Sequence, residues 1–249
     1  MKKISLFAFA LVATMNVMAQ NIQFHHDFGR DLYSDEEGER PRNTLTYEMF
    51  KADKYGSTYM FVDLDFYRKG MAGAYTELAR ELSLYKNNTI AAHLEYDGGL
   101  TSGKGPGAWN AHFQHALLFG PAYNGHSADF SKTWSVQAMY KQYFAGDSRE
   151  GYASWQLTGV WSTTFAHKFL TFSGFADLWY DNATRGNLIF LTEPQIWFNF
   201  NAIEKLKDFN LSIGGEVEIS NNFITATSAD GCTGKNTFIN PTLALKWTF

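Results

Sequence analysis

The sequence has one cysteine, Cys232, in 249 residues, which excludes an intramolecular disulfide framework. Cys232 lies in the polar run Thr227-Ser228-Ala229-Asp230-Gly231-Cys232-Thr233-Gly234, which reads as a loop holding an incidental thiol. Positive charge is also short: 21 Lys and Arg face 25 Asp and Glu, a formal net charge of −4. That balance lacks the basic footprint of a nucleic-acid binder. No Gly-rich phosphate loop, zinc-ligand spacing or serine-elbow motif appears, so no cofactor or metal is expected. Long apolar runs are missing beyond the N-terminus; mean hydropathy is −0.28, and charges interrupt each later stretch. A membrane-spanning helix needs about 20 apolar residues, and none is available there.

The N-terminus has a different character. Lys2 and Lys3 precede an almost wholly apolar or small segment, 4–18, and Val17-Met18-Ala19 offers a small-residue cleavage site before Gln20. This is the layout of a secretory signal peptide, so 1–19 is expected to be removed. Losing Lys2 and Lys3 takes the formal charge to about −6. Aromatic residues make up 17% of the chain, with 22 Phe, 13 Tyr and 7 Trp. High aromatic content beside negative hydropathy fits an outer-membrane barrel, where alternate residues meet lipid and aromatics gather at the two interfaces. A secreted β-sandwich or a soluble barrel with a ligand cavity is the alternative.

Alternation carries the strand assignment. In the last segment Ile239, Leu243, Leu245, Trp247 and Phe249 share one parity, opposed by Asn240, Thr242, Lys246 and Thr248; a period of two puts them on opposite faces. Twelve such segments are predicted: 21–29, 42–52, 57–67, 75–85, 89–97, 111–119, 133–144, 152–162, 168–180, 188–200, 209–220 and 237–249. The third is the clearest internal one, with Thr58, Met60, Val62, Leu64 and Phe66 against Tyr59, Phe61, Asp63, Asp65 and Tyr67. The fourth also permits a helix over 77–86 and turns Arg80 toward lipid; the sixth has a poor pattern. Pro194 and Pro241 fall inside predicted strands, so a bulge or a missing ladder bond is expected at each. Connections after odd strands (30–41, 98–107, 221–236) are longer than those after even strands (53–56, 86–88, 163–167), as external loops and periplasmic turns should be. The connection 120–129 is long for a periplasmic turn, and 201–207 can hold a helical turn. The expected fold is all-β, a transmembrane antiparallel up-and-down β-barrel of 12 strands formed by 20–249. It would sit among outer-membrane lipids of a Gram-negative bacterium as a monomer, and the terminal Phe249 would engage the barrel-assembly machinery.

The inward parity set is acidic: Glu48, Asp63, Asp65, Glu77, Glu81, Glu95, Asp97, Asp177, Glu193, Glu216 and Glu218. Inward bases are Lys141, Lys246 and Arg42, with Arg80 available only if the fourth strand slips. Buried carboxylates need water, bases or protons, which a hydrated channel supplies and a plugged, paired interior also supplies. Inward aromatics accompany them, namely Tyr59, Phe61, Tyr67, Phe175, Trp179 and Trp197. Stacking faces beside hydrogen-bonding groups suit a flat, hydroxylated solute such as a nucleoside, stacking being worth about 1–3 kcal/mol per base. An acidic wall would repel phosphorylated versions. Asp177 and Glu193 would bond sugar hydroxyls or base edges. His25 and His26 are adjacent and His112 and His115 three apart, so on a strand neither pair shares a face or an ion. A hydrolase assembled from Ser154 or Ser173 with His93 or His167 remains an alternative, since one sequence does not reveal such geometry.

Three segments carry a family likeness: Trp155-Gln156-Leu157-Thr158-Gly159-Val160-Trp161, Phe172-Ser173-Gly174-Phe175-Ala176-Asp177-Leu178-Trp179 and Pro194-Gln195-Ile196-Trp197-Phe198. They resemble the second half of Tsx-like nucleoside-specific channel-forming proteins, and the mature chain as a whole looks like a branch of that group. The resemblance implies a monomeric twelve-strand barrel with a narrow pore for nucleosides. By local match it assigns solute contact to Phe175, Asp177, Trp179, Gln195 and Trp197.

Overall fold

The computed structural model describes residues 17–68, 70–85, 89–101, 114–146, 150–182, 187–224, 227–228, 231–232 and 235–249. Residues 1–16 of the expected signal segment 1–19, His112, the predicted start of the sixth strand at 111–113 and the turn 86–88 lie outside these residues. The barrel wall consists of β1 (Val17–Asp27), β2 (Asn43–Asp53), β3 (Gly56–Tyr67), β4 (Gly70–Ser83), β5 (Ile90–Thr101) and β6 (Ala116–His126). It continues through β7 (Lys132–Tyr143), β8 (Tyr152–Phe165), β9 (Leu170–Tyr180), β10 (Leu188–Thr192), β11 (Gln195–Asn199), β12 (Leu211–Asn221) and, after a two-residue hairpin of β13 (Thr227–Ser228) and β14 (Gly231–Cys232), β15 (Thr237–Thr248). A single helical turn, α1 (Gly29–Leu32), follows β1.

Each wall strand runs antiparallel to its neighbours, and β1 pairs with β15 from Asn21↔Thr248 to Asp27↔Thr242, which closes the sheet. β10 and β11 are two halves of one strand position. Both pair with β9 and β12, and Thr192↔Ala176 and Gln195↔Ser173 keep one register across Glu193-Pro194. The wall is therefore a closed barrel of twelve antiparallel strands. The break at Pro194 is the ladder defect its missing N–H demands. At Pro241 the strand stays continuous, but the β12–β15 ladder skips from Gly214↔Ala244 to Val217↔Pro241. The Glu216 N–H donates instead to Thr242 Oγ1 at 3.0 Å. Gly174, opposite the break, has φ +153°, and a Cβ there would stand 2.5 Å from the Glu193 carbonyl oxygen.

One strand assignment changes, and the alternative left open for another is excluded. The sixth strand lies at 116–126 rather than 111–119. Its inward side carries Ala116, Leu118 and Ala122, all buried, so it shows no polar alternation. Gly120-Pro121 reads as a turn yet sits in the strand where the β6–β7 ladder skips. The turn that follows shrinks to 127–131, and the anomalously long connection disappears. β4 is a strand of 14 residues, not a helix. Its Arg80 faces outward beside the turn at 54–55, where both guanidinium ends bond Asp53 at 2.9 Å and one also meets Thr58 at 3.0 Å. That is the rim position where a lipid-side charge is cheap. Two 3₁₀ turns, Phe200–Ala202 and Glu204–Leu206, occupy the segment expected to hold a helical turn.

The outer face is apolar. Leu78, Leu94, Val136, Leu157, Ile213 and Leu245 are all exposed there, while alternate residues of the same strands are shielded. Trp134, Phe165, Phe209, Trp247 and Phe249 are exposed near the end that carries both termini, an aromatic girdle in position and composition. No helix among the described residues is long and apolar enough to cross a membrane; the strands carry the apolar belt. The connections 54–55, 127–131, 166–169 and 200–210 lie at the terminal end, and 28–42 at the other.

An arginine in mid-belt has no rim partner of the kind Arg80 has. Leu94→Arg, in the centre of β5, is expected to destabilise the barrel by about 2–4 kcal/mol relative to wild type. A denaturant titration in lipid vesicles measures this, and an unchanged midpoint would reject a lipid-facing position for Leu94.

Candidate functional site

The interior is organised by strand parity and then closed over by a loop. Three inward Asp residues are each met by a Thr directly across the ladder: Thr46 bonds Asp63, Thr44 bonds Asp65 at 2.6 Å, and Thr158 bonds Asp177. Lys141, buried on β7, donates to Asp97 Oδ2 at 3.0 Å and to Gln156 Oε1 at 2.7 Å. His93 lies between Glu81 (3.3 Å) and Glu95 (3.0 Å). These are hydrogen-bonded solutions to burying acid.

The strongest basic contact comes from outside the strands. Segment 28–42 folds inward, its entry pinned by Gly29, where a Cβ would stand 2.6 Å from Asn240 Oδ1. Arg40 then reaches three carboxylates: Asp27 at 3.0 Å, Glu37 at 3.3 Å and Glu218 at 2.8 Å. Arg42, expected inward, instead pairs with Asp31 at 2.6 Å on the exposed rim. The parity count considered strand residues alone and so left Arg40 in a loop.

A second station inside the wall is apolar. Ala116, Leu118, Met139, Tyr143, Trp179, Ile189 and Leu191 form a buried cluster, joined by Tyr152, Phe175 and Phe223. Of its members, Phe175 and Trp179 are placed on the inward face by parity alone, whereas the apolar inward side of β6 shows in the sequence only as a poor pattern.

The six predicted solute-contact residues lie together on β9 and the broken strand beside it. Phe175 stands opposite Glu193, whose N–H donates to the Phe175 carbonyl at 3.2 Å. Asp177 faces Leu191, and Gln195 faces Ser173. Their accessibility differs. Phe175, Asp177, Glu193 and Gln195 are half-buried. Trp179 is 8% exposed and packs edge-on against Phe223, with ring centroids 5.9 Å apart. Trp197 is 0% exposed. Its indole N–H donates to Gln195 Oε1 at 3.0 Å, Lys246 Nζ covers its ring at 3.9 Å and His25 meets its edge at 6.0 Å. In this arrangement Trp197 is part of the wall. Gln195 also donates to Glu216 at 3.0 Å. Glu193 has no side-chain hydrogen bond or ion pair among the described residues.

His25 and His26 do point apart: His25 is buried against Gln23 and Thr242, and His26 bonds Asn43. One group of described residues has the spacing to hold a metal ion, Glu77, Glu95 and Asp97. The Ser154 hydroxyl donates to the Tyr180 carbonyl, and among the described residues neither Ser154 nor Ser173 has a histidine partner.

Glu37 is the buried carboxyl of the inserted segment. Burial raises its pKa from 4.5 to about 7; Arg40 works against the rise, and Glu218 adds to it. Between those values the folded state holds a proton that the unfolded chain has lost, so stability falls as pH rises through that window and levels off above it. The unfolding temperature in detergent is expected to drop between pH 5 and pH 8, and Glu37→Gln to flatten that drop. Parallel curves for the two proteins would exclude Glu37 as the source.

A family model described as "Domain of unknown function (DUF5020)" matches residues 19–249. No curated protein matches the sequence. Among solved structures the chain is similar to a KdgM porin, at 11% identity over 93% of this chain and 99% of that one, with a TM-score of 0.46. It is similar to the outer-membrane protein Omp33 of Acinetobacter baumannii, at 11% identity over 95% and 99%, TM-score 0.41. It is also similar to LpxR from Salmonella typhimurium, at 8% identity over 93% and 100%, TM-score 0.42.

Proposed function

The chain belongs to the DUF5020 family, and from that starting point we propose that it is a passive outer-membrane channel for small polar solutes, nucleosides first. The observation that carries the reading is Glu193, a half-buried inward carboxylate with no side-chain partner among the described residues, across the broken ladder from the half-buried Phe175. A hydrogen-bond acceptor facing an aromatic surface suits a base joined to a sugar. Asp177 spends Oδ1 on Thr158 and keeps its other oxygen for a hydroxyl. The likeness of 155–161, 172–179 and 194–198 to Tsx-like channels supports the same substrate class. Trp179 and Trp197 bracket this position and would hold it in shape.

Export and assembly follow the same reading. Removal of 1–19 would leave the seam whole, because Val17, Met18 and Ala19 pair with β2 alone, whereas β1 meets β15 from Asn21 onward. Gln20 would still accept the Phe249 N–H at 3.0 Å. Phe249 is 54% exposed, available to lipid and to the assembly machinery. A seam closed within one chain suits a monomer.

A second reading, a closed barrel with a structural or hydrolytic role, is favoured by the apolar cluster packed inside the wall. Planar-bilayer recording separates the two. The channel reading expects discrete conductance that nucleosides block, with Glu193→Gln raising the half-blocking concentration about tenfold, the worth of one hydrogen bond to a charged group. An open pore indifferent to nucleosides would reject the solute class. A folded barrel with no conductance would reject the channel.

A further inference from the structure

On β4 and β5 three inward carboxylates converge. Glu77 pairs in register with Asp97, and Glu95 lies two residues from Asp97 on the same face. One oxygen from each lies within 4.8 Å of the others. Each carboxylate is steadied by one neighbour: the Tyr75 hydroxyl at 2.8 Å from Glu77 Oε1, His93 Nε2 at 3.0 Å from Glu95 Oε2, and Lys141 Nζ at 3.0 Å from Asp97 Oδ2. A separate fact points to a missing partner. Asp97 is 5% exposed, and its Oδ1 is buried with no hydrogen-bond donor. Lys141 is already committed to Oδ2 and to Gln156. A buried carboxylate oxygen left unpaired is expensive, and native proteins rarely leave one so.

We infer that Glu77, Glu95 and Asp97 form a binding site for a hard divalent cation inside the barrel wall. The donors are all carboxylate oxygens, which select hard cations over the softer transition metals. One oxygen from each carboxylate lies within 4.8 Å of the others, close enough for all three to reach a single ion. Charge agrees: three carboxylates against Lys141 leave two negative charges, with His93 set against Glu81, and one divalent ion neutralises them. The ion would tie β4 to β5 and give Asp97 Oδ1 its partner. This site stands whether or not the barrel conducts.

Tb³⁺, a luminescent substitute for Ca²⁺, tests it on the full mature barrel folded in detergent. Tyr75, bonded to Glu77, is placed to sensitise its emission. The expected result is saturable emission that Ca²⁺ displaces. Glu77→Gln and Glu95→Gln should each weaken Tb³⁺ binding by about tenfold or more, since affinity at such sites follows ligand charge. Should a variant fail to fold, the wild-type unfolding temperature provides the second readout; Ca²⁺ should raise it and a chelator reverse the rise. Absence of saturable emission from the folded wild type, emission surviving both substitutions, or an unfolding temperature indifferent to Ca²⁺ would each overturn the site.

Discussion

The contact on which the rest of this structure depends is the pairing of β1 with β15. Hydrocarbon offers no hydrogen bonds, so an unpaired strand edge within it would leave a row of N–H and C=O groups each costing several kcal/mol (about 4–8 on the cyclohexane scale). The seam from Asn21↔Thr248 to Asp27↔Thr242 removes both edges at once. Only after closure does parity acquire a physical meaning, because a closed sheet has an inside. The prolines show how strictly the ladder is kept elsewhere. Pro121 lies where the β6–β7 pairing skips, Pro194 where one strand divides in two, and Pro241 where the Thr242 hydroxyl serves a neighbouring N–H.

Closure also creates the electrostatic problem that shapes the interior. Alternation sends many carboxylates inward and few bases with them. The protein meets this in layers. Threonine hydroxyls across the ladder satisfy Asp63, Asp65 and Asp177 without adding charge. Lys141 and His93 serve the acids of β4 and β5. The remaining cluster, Asp27, Glu37 and Glu218, is met by an arginine brought in on a loop. A strand residue projects from a fixed height and angle, whereas a loop can carry a guanidinium to the centre of three carboxylates, where its fork can bond each.

How much of this was legible follows from what alternation encodes. β7 alternates without fault from Val136 to Lys141, exposed against buried, and its assignment needed nothing more. β6 was misplaced because its inward side is apolar, so both of its faces look alike to a period-two reading. The positions of Phe175, Asp177 and Glu193 on the inward face were legible for the same reason that β7 was. The packing of Trp179 and Trp197 was not. Parity states which face a ring is on, but Phe223 arrives from the segment after β12 and Lys246 from β15, both remote in sequence. Arg40 went unseen for a related cause, since a loop residue has no parity to read.

These layers differ in what it takes to move them, and that bears on how a solute could pass. Wall residues are held by ladder hydrogen bonds on both sides, so displacing one strand breaks many bonds together. The inserted segment 28–42 is held mainly by side chains: the contacts of Arg40 with Asp27 and Glu218, the edge contact of Tyr33 with Phe238 at 5.2 Å, and Lys235 over the Tyr33 ring at 3.9 Å. Hydrogen bonds to charged groups contribute about 1.5–3 kcal/mol each, so releasing this segment requires a few such contacts rather than a barrel's worth. Phe223, which closes over Trp179, belongs to the same tier, since it follows the end of β12 and lies outside the ladder. If the barrel conducts, segment 28–42 and Phe223 are therefore what a passing solute would displace at least cost, and on the proposed reading the strands that carry Phe175, Asp177 and Glu193 would stay in place and set which solutes are held.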